Sequence, residues 1–234
     1  MLSLADHLVV SYGSTETGVI TWGHLNEKNN TSYKVGKPVV DAVQIRIIND
    51  NGDSCLPGEV GTVQILSPLT FRGYLNRLES PDPQTMKVLR PDGWYSTEDN
   101  GYFGQDGDLY ILGRKNDVIQ YGVFLLYPGW LEEKIVAHPE IAEACVVPVS
   151  DPLLFHNICA CVSLTEGSEL TEEEIRTYCK NIFLKNVNQA LTPVPAYFLI
   201  LPEGIPRNSN GKPNVQKLKA MAEEKFGCTA RHAM

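Results

Sequence analysis

The sequence predicts an α+β protein in two parts, a mainly β part of barrel or sandwich type followed by a small α+β part. Residues 43–47 and 61–66 alternate apolar and polar side chains, which is typical of half-buried strands. From residue 114 onward, strand-like and helix-like segments are interleaved, as in compact α+β units. We therefore place the boundary between Gly113 and Arg114 and expect domains at 1–113 and 114–234.

The first part carries further strand and turn signals. Residues 8–10 are a short apolar run that leads into a Gly-rich turn. Residues 49–53 (NDNGD) have the composition of a turn between two strands. Residues 106–108 (DGD) turn the chain into another strand at 109–112. These short strands predict a small β-barrel or sandwich.

Three helices of the second part are predicted from their start signals. Pro128 begins a helix that extends to about residue 137, because proline in the first turn loses no hydrogen bond. Thr171 and Glu174 form a capping box that opens a second helix. Asn214 can cap a third helix that ends near Phe226. The strands predicted between these helices are 141–149, 158–164 and 197–201.

The bulk composition excludes two classes of partner. A net charge of -8 argues against nucleic acid, whose binding requires a basic face. Apolar residues make up 43% and charged residues 21% of the 234, which is ordinary for a soluble globular protein. No apolar run approaches the length of a transmembrane segment. We expect no nucleic acid partner and no membrane span.

The cysteines and termini predict an intracellular, cytoplasmic protein. The six cysteines have neither Cys-x-x-Cys pairs nor a disulfide spacing, so we expect reduced thiols. Cys159 and Cys161 would share one face of a strand as core thiols. The five histidines show no metal-ligand spacing. The N-terminus lacks signal-peptide character, and residues 231–234 (RHAM) are not a peroxisomal Ser-Lys-Leu signal.

Four ordered motifs carry the chemistry of the chain. Together they supply an aromatic ring, two carboxylates, an arginine and a lysine on Gly-rich turns. These groups suit the binding of a nucleotide and its metal. The motifs are 12–18 (YGSTETG), 93–99 (GWYSTED), 113–117 (GRKND) and 206–212 (PRNSNGK).

The first motif offers a ligand-binding role for four of its residues. Gly13 permits close approach of the backbone to a ligand. Tyr12 offers a flat face to an adenine ring, and the Thr15 hydroxyl can donate to a phosphate oxygen. Glu16 is a hard oxygen ligand of the kind that Mg²⁺ prefers. A strand-ending turn rich in Ser, Thr and Gly would explain the same residues without a ligand.

The order and spacing of the four motifs resemble the adenylate-forming enzymes, which include acyl-CoA synthetases, coumarate-CoA ligases and luciferases. The resemblance implies ATP or AMP and Mg²⁺ as cofactors, with coenzyme A as a further ligand. It implies that Asp99 and Arg114 hold the ribose and that Lys212 and Thr15 serve adenylation. Asn116 falls at the position that acts as a hinge in such enzymes.

Some positions depart from the pattern of that family. Glu98 stands where a glycine is usual, so it is expected to crowd the sugar or to force a rotated backbone. Gln120, Val123 and Trp130 differ on the face used for thioester formation, so the coenzyme A half-reaction is the less supported one. The family also has a Ser/Thr/Gly-rich phosphate loop, which these residues do not contain ahead of Tyr12.

The sequence therefore predicts the C-terminal portion of an acyl-CoA-synthetase-like ligase, inactive as an isolated chain. Its substrate would be a carboxylic acid, fatty or aryl, whose identity the sequence does not specify. The alternative is a non-catalytic nucleotide-binding or interaction module derived from the same family. An unrelated β-rich binding protein would require the four ordered motifs to coincide by chance.

Overall fold

The computed structural model describes residues 8–25, 33–75, 82–184 and 193–227. Contacts divide the chain into two compact units, Met1–Asn116 and Asp117–Met234. The sequence placed the division slightly earlier, between Gly113 and Arg114. A short 3-10 turn, Lys115–Asp117, lies at this point and contains Asn116.

The first unit is built on one antiparallel sheet in the strand order β1-β2-β3-β7-β6-β5-β4. Its strands are β1 (Leu8–Ser14), β2 (Gly18–Leu25), β3 (Lys34–Pro38), β4 (Gln44–Ile48), β5 (Gly61–Leu66), β6 (Tyr95–Phe103) and β7 (Leu109–Arg114). β1 and β4 form opposite edges, and no pairing among the described residues closes the sheet into a barrel. The mainly β character that we expected is confirmed, but of the two expected forms, barrel or sandwich, the described strands do not make a closed barrel, since alternation predicts strands but not their closure.

The core of this unit comes from the alternation seen in the sequence. Across β4 and β5, Ile45 pairs with Ile65 and Ile47 pairs with Val63. The turn between these strands is held by Asn49, whose side-chain oxygen accepts the N–H groups of two later residues. The buried apolar residues of the cluster are Ile20, Val35, Val43, Ile47, Val63, Ile65 and Leu109.

A short helix that the sequence analysis missed, α1 (Pro83–Val88), precedes β6. Asp82 caps it by accepting the Thr85 N–H at 2.9 Å, and Pro83 occupies the first turn. The Asp-Pro pair was the available signal. The helix is only six residues long, so no apolar periodicity marked it.

The second unit has the predicted α+β architecture. Its sheet runs β10-β11-β8-β9, and β12 pairs in parallel with β11. The strands are β8 (Ile119–Tyr121), β9 (Phe124–Leu126), β10 (Ile141–Asp151), β11 (Phe155–Leu164) and β12 (Tyr197–Ile200). The helices are α2 (Pro128–Val136), α3 (Glu172–Leu184) and α4 (Val215–Phe226).

Helices cover both faces of this second sheet. One face of β10 and β11 packs with Leu131 and Ile135 of α2 and with Ile175 of α3. The other face includes Cys159 and Cys161 and packs with apolar residues of α4. Cys159 and Cys161 are fully buried, which confirms the prediction of core thiols. Cys228 lies outside the described residues.

The predicted helix caps are confirmed. Thr171 and Glu174 bond reciprocally at the start of α3, with the Thr171 N–H donating to the glutamate at 2.9 Å. The Asn214 side chain accepts the Lys217 N–H at 3.0 Å at the start of α4. No helix in the described ranges is long and apolar enough to cross a membrane.

Candidate functional site

A bulge in β6 positions the central carboxylate of the site. The pairing of β5 with β6 shifts register, so that residues 97–99 of β6 have no paired residues in the β5 ladder. The Thr97 hydroxyl donates to the Val63 carbonyl at 3.0 Å, which fixes the bulge to β5. The Asp99 N–H in turn donates to the Thr97 hydroxyl at 3.1 Å. Asp99 is therefore held by its backbone.

Asp99 brings together side chains that were predicted to bind the adenine ring and the sugar of a nucleotide. The Tyr12 hydroxyl donates to one Asp99 carboxylate oxygen at 2.6 Å. Arg114 Nε lies 3.7 Å from the other oxygen, because Arg114 of β7 stands opposite Asp99 in the sheet. The Asp99 side chain is 16% exposed, whereas that of Arg114 is 63% exposed. The first, second and third motifs thus meet at one carboxylate.

Tyr12 contacts Asp99 through its hydroxyl and not through its ring face. The ring packs against the apolar core of the first unit. Burial raises the pKa of Tyr12, and the Asp99 charge raises it further, so the phenol stays protonated and donates. Sequence analysis assigned Tyr12 to an adenine ring, and that role stays a prediction. The hydrogen bond to Asp99 had no signal in the local sequence.

These groups line a small cavity of about 150 Å³ in the first unit. Its volume is below the roughly 300–1,000 Å³ typical of small-molecule sites, so it accommodates only part of a nucleotide. Gly13 and Glu16 line it as expected. Thr15 lies at the exposed hairpin turn, and the buried Thr17 lines the cavity instead. The complete lining is Tyr12, Gly13, Ser14, Glu16, Thr17, Tyr74, Val88, Tyr95, Ser96, Thr97, Glu98, Asp99 and Arg114.

The β1–β2 hairpin requires glycine at position 13. A Cβ there would collide with the Gly18 carbonyl oxygen on the opposite strand. The turn is closed by the Thr17 N–H, which donates to the Ser14 carbonyl at 3.3 Å. The Thr17 hydroxyl also accepts the Ser14 N–H at 3.1 Å. Thr17 is therefore structural, which explains why it is buried while Thr15 is exposed.

Glu16 is suited to hold a cation whose remaining ligands come from a bound phosphate and from water. Tyr74 donates its hydroxyl to Glu16 Oε1 at 2.7 Å, and this bond is the main reason that the pKa of Glu16 is lowered. No group of three or more His, Cys, Asp or Glu side chains in the described ranges could enclose a metal. Mg²⁺ usually takes one or two carboxylates and completes its shell with phosphates and water. A single carboxylate such as Glu16 fits that chemistry, because phosphates and water would supply the other oxygen ligands.

Lys212 lies on an ordered loop of the second unit. Arg207 pairs with Glu143 at 2.7 Å and donates to the Gly211 carbonyl at 2.8 Å. The Asn208 side chain accepts the Lys212 N–H at 3.0 Å. Lys212 itself is exposed, and no carboxylate in the described part of the chain pairs with it. The loop therefore presents a free ammonium on a braced backbone.

Glu98 is the strained residue of the site. Its φ of 60° is in the left-handed region, which residues other than glycine seldom adopt. This is the rotated backbone expected for a side chain at a usual glycine position. Glu98 pairs with Lys87 of α1 at 3.3 Å. It also lines a neighbouring cavity of about 470 Å³, which is larger but contains none of Tyr12, Asp99 and Arg114.

Two variants of Glu98 should separate backbone strain from the ion pair. Both Glu98→Gly and Glu98→Ala remove the pair with Lys87, but only glycine adopts the left-handed conformation freely. We expect Glu98→Gly to be more stable than Glu98→Ala by about 1 kcal/mol. Urea unfolding of the two proteins measures this difference. Equal stability, or a more stable alanine variant, would show that the bulge imposes no strain at this position.

Three of the residues that depart from the family pattern, Gln120, Val123 and Trp130, lie in the second unit. Gln120 is exposed on β8, and Val123 is 86% exposed in the β8–β9 turn. Gly122 beside it takes the left-handed φ of 59° that the turn requires. Trp130 packs against Phe183 with ring centroids 5.4 Å apart. Packing in the core therefore explains Trp130, and the thioester role of its position stays a prediction.

Two family models match the chain. The model of the AMP-binding enzyme matches residues 2–75, and that of the AMP-binding enzyme C-terminal domain matches residues 131–212. A putative acyl-CoA ligase, YdaB of Bacillus subtilis, is 35% identical over 181 residues, which are 76% of this chain. The crotonobetaine/carnitine-CoA ligase of Salmonella arizonae is 33% identical over 215 residues, or 91% of this chain. The chain belongs to the adenylate-forming, AMP-binding enzyme superfamily.

Solved structures of superfamily members share the fold. The O-succinylbenzoate coenzyme A synthetase of Bacillus subtilis, in complex with AMP, is 30% identical with a TM-score of 0.75 and covers 91% of this chain. The amide bond synthetase McbA of Marinactinospora thermotolerans is 28% identical with a TM-score of 0.75 and covers 93%. The chain spans 35% and 39% of the two ligases, and 41% and 43% of the two solved chains.

Proposed function

We propose that the chain is the C-terminal portion of an ATP-dependent acyl-CoA-synthetase-like ligase. In the parent reaction, a carboxylate attacks the α-phosphate of ATP to give an acyl-adenylate and pyrophosphate. The thiol of coenzyme A then displaces AMP from the acyl group. We assign residues 1–113 to the end of the adenylation domain and 114–234 to the small C-terminal domain. The substrate is a fatty or aryl carboxylic acid.

The convergence of Tyr12 and Arg114 on Asp99 is the observation that carries this proposal. A carboxylate oxygen accepts more than one hydrogen bond, so Asp99 can take both ribose hydroxyls beside its present partners. Glu16 would hold Mg²⁺ against the phosphates, and Lys212 would stabilise the negative charge that develops during adenylation. The Thr15 hydroxyl would donate to a phosphate oxygen from the turn.

A non-catalytic nucleotide-binding or interaction module is the second candidate. The small volume of the cavity and the strained Glu98 beside Asp99 favour it. The ligase and a nucleotide-binding module both predict nucleotide binding, but only the ligase predicts chemistry. The two are therefore distinguished by catalysis and not by affinity.

ATP–pyrophosphate exchange tests the ligase proposal. The 234-residue chain should show no exchange with a panel of fatty and aryl acids, because these residues hold no phosphate loop ahead of Tyr12. The same chain extended upstream to the length of its relatives should exchange with at least one acid. A matched extended protein with Lys212→Ala is the control. Exchange absent from the extended protein supports the module, whereas robust exchange by the 234 residues alone shows that the loop is not essential.

A further inference from the structure

Glu16 is held in place by residues 71–74, a segment that the sequence analysis did not assign to the site. Tyr74 lies 58 positions further along the chain, and its hydroxyl donates to Glu16 Oε1 at 2.7 Å. The main chain of Glu16 is held as well, because the Phe71 N–H donates to the Glu16 carbonyl at 2.7 Å. One short segment therefore restrains both the backbone and the carboxylate of this residue.

Helix α1 holds Tyr74 in place. The Tyr74 N–H donates to the Thr85 hydroxyl at 2.7 Å, and Thr85 is buried. Thr85 is itself fixed to the cap of the helix, since its N–H donates to Asp82 at 2.9 Å. A chain of hydrogen bonds thus runs from the start of α1 through Tyr74 to Glu16. Because the Glu16 side chain is anchored in this way, it loses less conformational freedom when it binds a ligand.

Aromatic packing restricts the Tyr74 ring. The Phe71 ring meets it edge to face with centroids 4.8 Å apart. Phe71 also meets Tyr95 edge to face at 5.7 Å. The phenol therefore has a fixed direction, although Tyr74 is 38% exposed.

We propose that Tyr74 is a positioning residue that orients the Glu16 carboxylate for a divalent cation, an inference that rests on the proposed function. Its phenol donates to one carboxylate oxygen, Oε1, so the direction of the carboxylate is fixed before a cation binds. This arrangement matches the outer-shell partners of metal ligands, which fix the orientation of the ligating group.

The other groups around Glu16 are compatible with this role. Arg114 of β7 lowers the pKa of Glu16 by its charge, and Ser14 of β1 lowers it by hydrogen bonding. Partial burial opposes them, and the Tyr74 hydrogen bond has the largest effect. Tyr95 of β6 is a neutral neighbour whose own pKa is raised by burial. Removing the Tyr74 hydroxyl should therefore raise the pKa of Glu16 while its other neighbours remain.

The first test follows the Glu16 carboxyl carbon by NMR as a function of pH in the 234-residue chain. The wild type should titrate below the ordinary range of glutamate, and Tyr74→Phe should titrate at higher pH. Tyr102→Phe is the control, because it removes a hydroxyl from a stacked tyrosine that does not line the cavity. The scalar couplings of the wild-type Glu16 side chain should show a single rotamer, because Tyr74 holds the carboxylate, and averaged couplings overturn the proposal even if the variant fails to fold.

The second test measures ATP binding with and without Mg²⁺. Tyr74→Phe should weaken the Mg²⁺-dependent part of ATP binding about tenfold or more and leave metal-free binding unchanged. Tyr102→Phe should bind as the wild type does. Unchanged Mg²⁺ dependence in Tyr74→Phe overturns the positioning role. Absence of ATP binding in the wild type instead contradicts the proposed function, and the Glu16 titration then still decides whether Tyr74 orients the carboxylate.

Discussion

Replacing Lys212 with alanine is expected to slow adenylation about a hundredfold or more in a catalytically competent protein that contains this chain. This is the scale for removing one preorganised donor to charge that develops in a transition state. The loop around Lys212 is braced by the Arg207–Glu143 pair, so the alanine variant should keep its backbone. Single-turnover formation of acyl-adenylate measures the effect directly.

The same variant should leave the second half-reaction nearly intact. When the experiment starts from pre-made acyl-adenylate, no charge develops at the α-phosphate and the ammonium has little to stabilise. Lys219→Ala is the matched control, because it removes an exposed lysine from the neighbouring helix α4. If Lys212→Ala slows both half-reactions equally, the lysine has a structural role and its assignment to adenylation is wrong.

Replacing Asp99 with asparagine is expected to weaken AMP binding roughly tenfold to hundredfold. A hydrogen bond to a charged group contributes about 1.5–3 kcal/mol, and 1.4 kcal/mol is a factor of ten in affinity. Asparagine has nearly the same shape and still accepts the Tyr12 hydroxyl, so the bulge of β6 should persist. Titration of the 234-residue chain with AMP measures the change.

Asp53→Asn provides the control for this charge change. Asp53 is exposed in the turn after β4 and does not line the cavity. It should bind AMP as the wild type does. Equal affinities of Asp99→Asn and the wild type would mean that the carboxylate only orders Tyr12 and Arg114 and makes no contact with the sugar.

Local signals predicted much of this fold. Alternation identified β4 and β5, and the caps at Thr171 and Asn214 identified the starts of α3 and α4. These features depend on side chains within a few positions of each other. The open edge of the first sheet depends on which strands pair across the whole unit, which alternation does not specify.

The candidate site was predicted in its residues but not in its contacts. The motifs gave Tyr12, Asp99 and Arg114, and the structure brings them together. The bulge that aims Asp99 arises from a register shift between β5 and β6, which no local pattern records. The Tyr74–Glu16 hydrogen bond joins residues 58 positions apart and depends on α1, which was itself missed.

NMR titration of the 234-residue chain with AMP tests the central claim that Asp99 and its neighbours form a nucleotide site. The amides of Gly13, Glu16, Thr97 and Asp99 should shift saturably, and 2′,3′-dideoxy-AMP should bind more weakly because Asp99 then lacks its sugar partners. No shifts at these amides, shifts only around the larger cavity near Arg90 and Lys115, or equal affinity for the two nucleotides would contradict it.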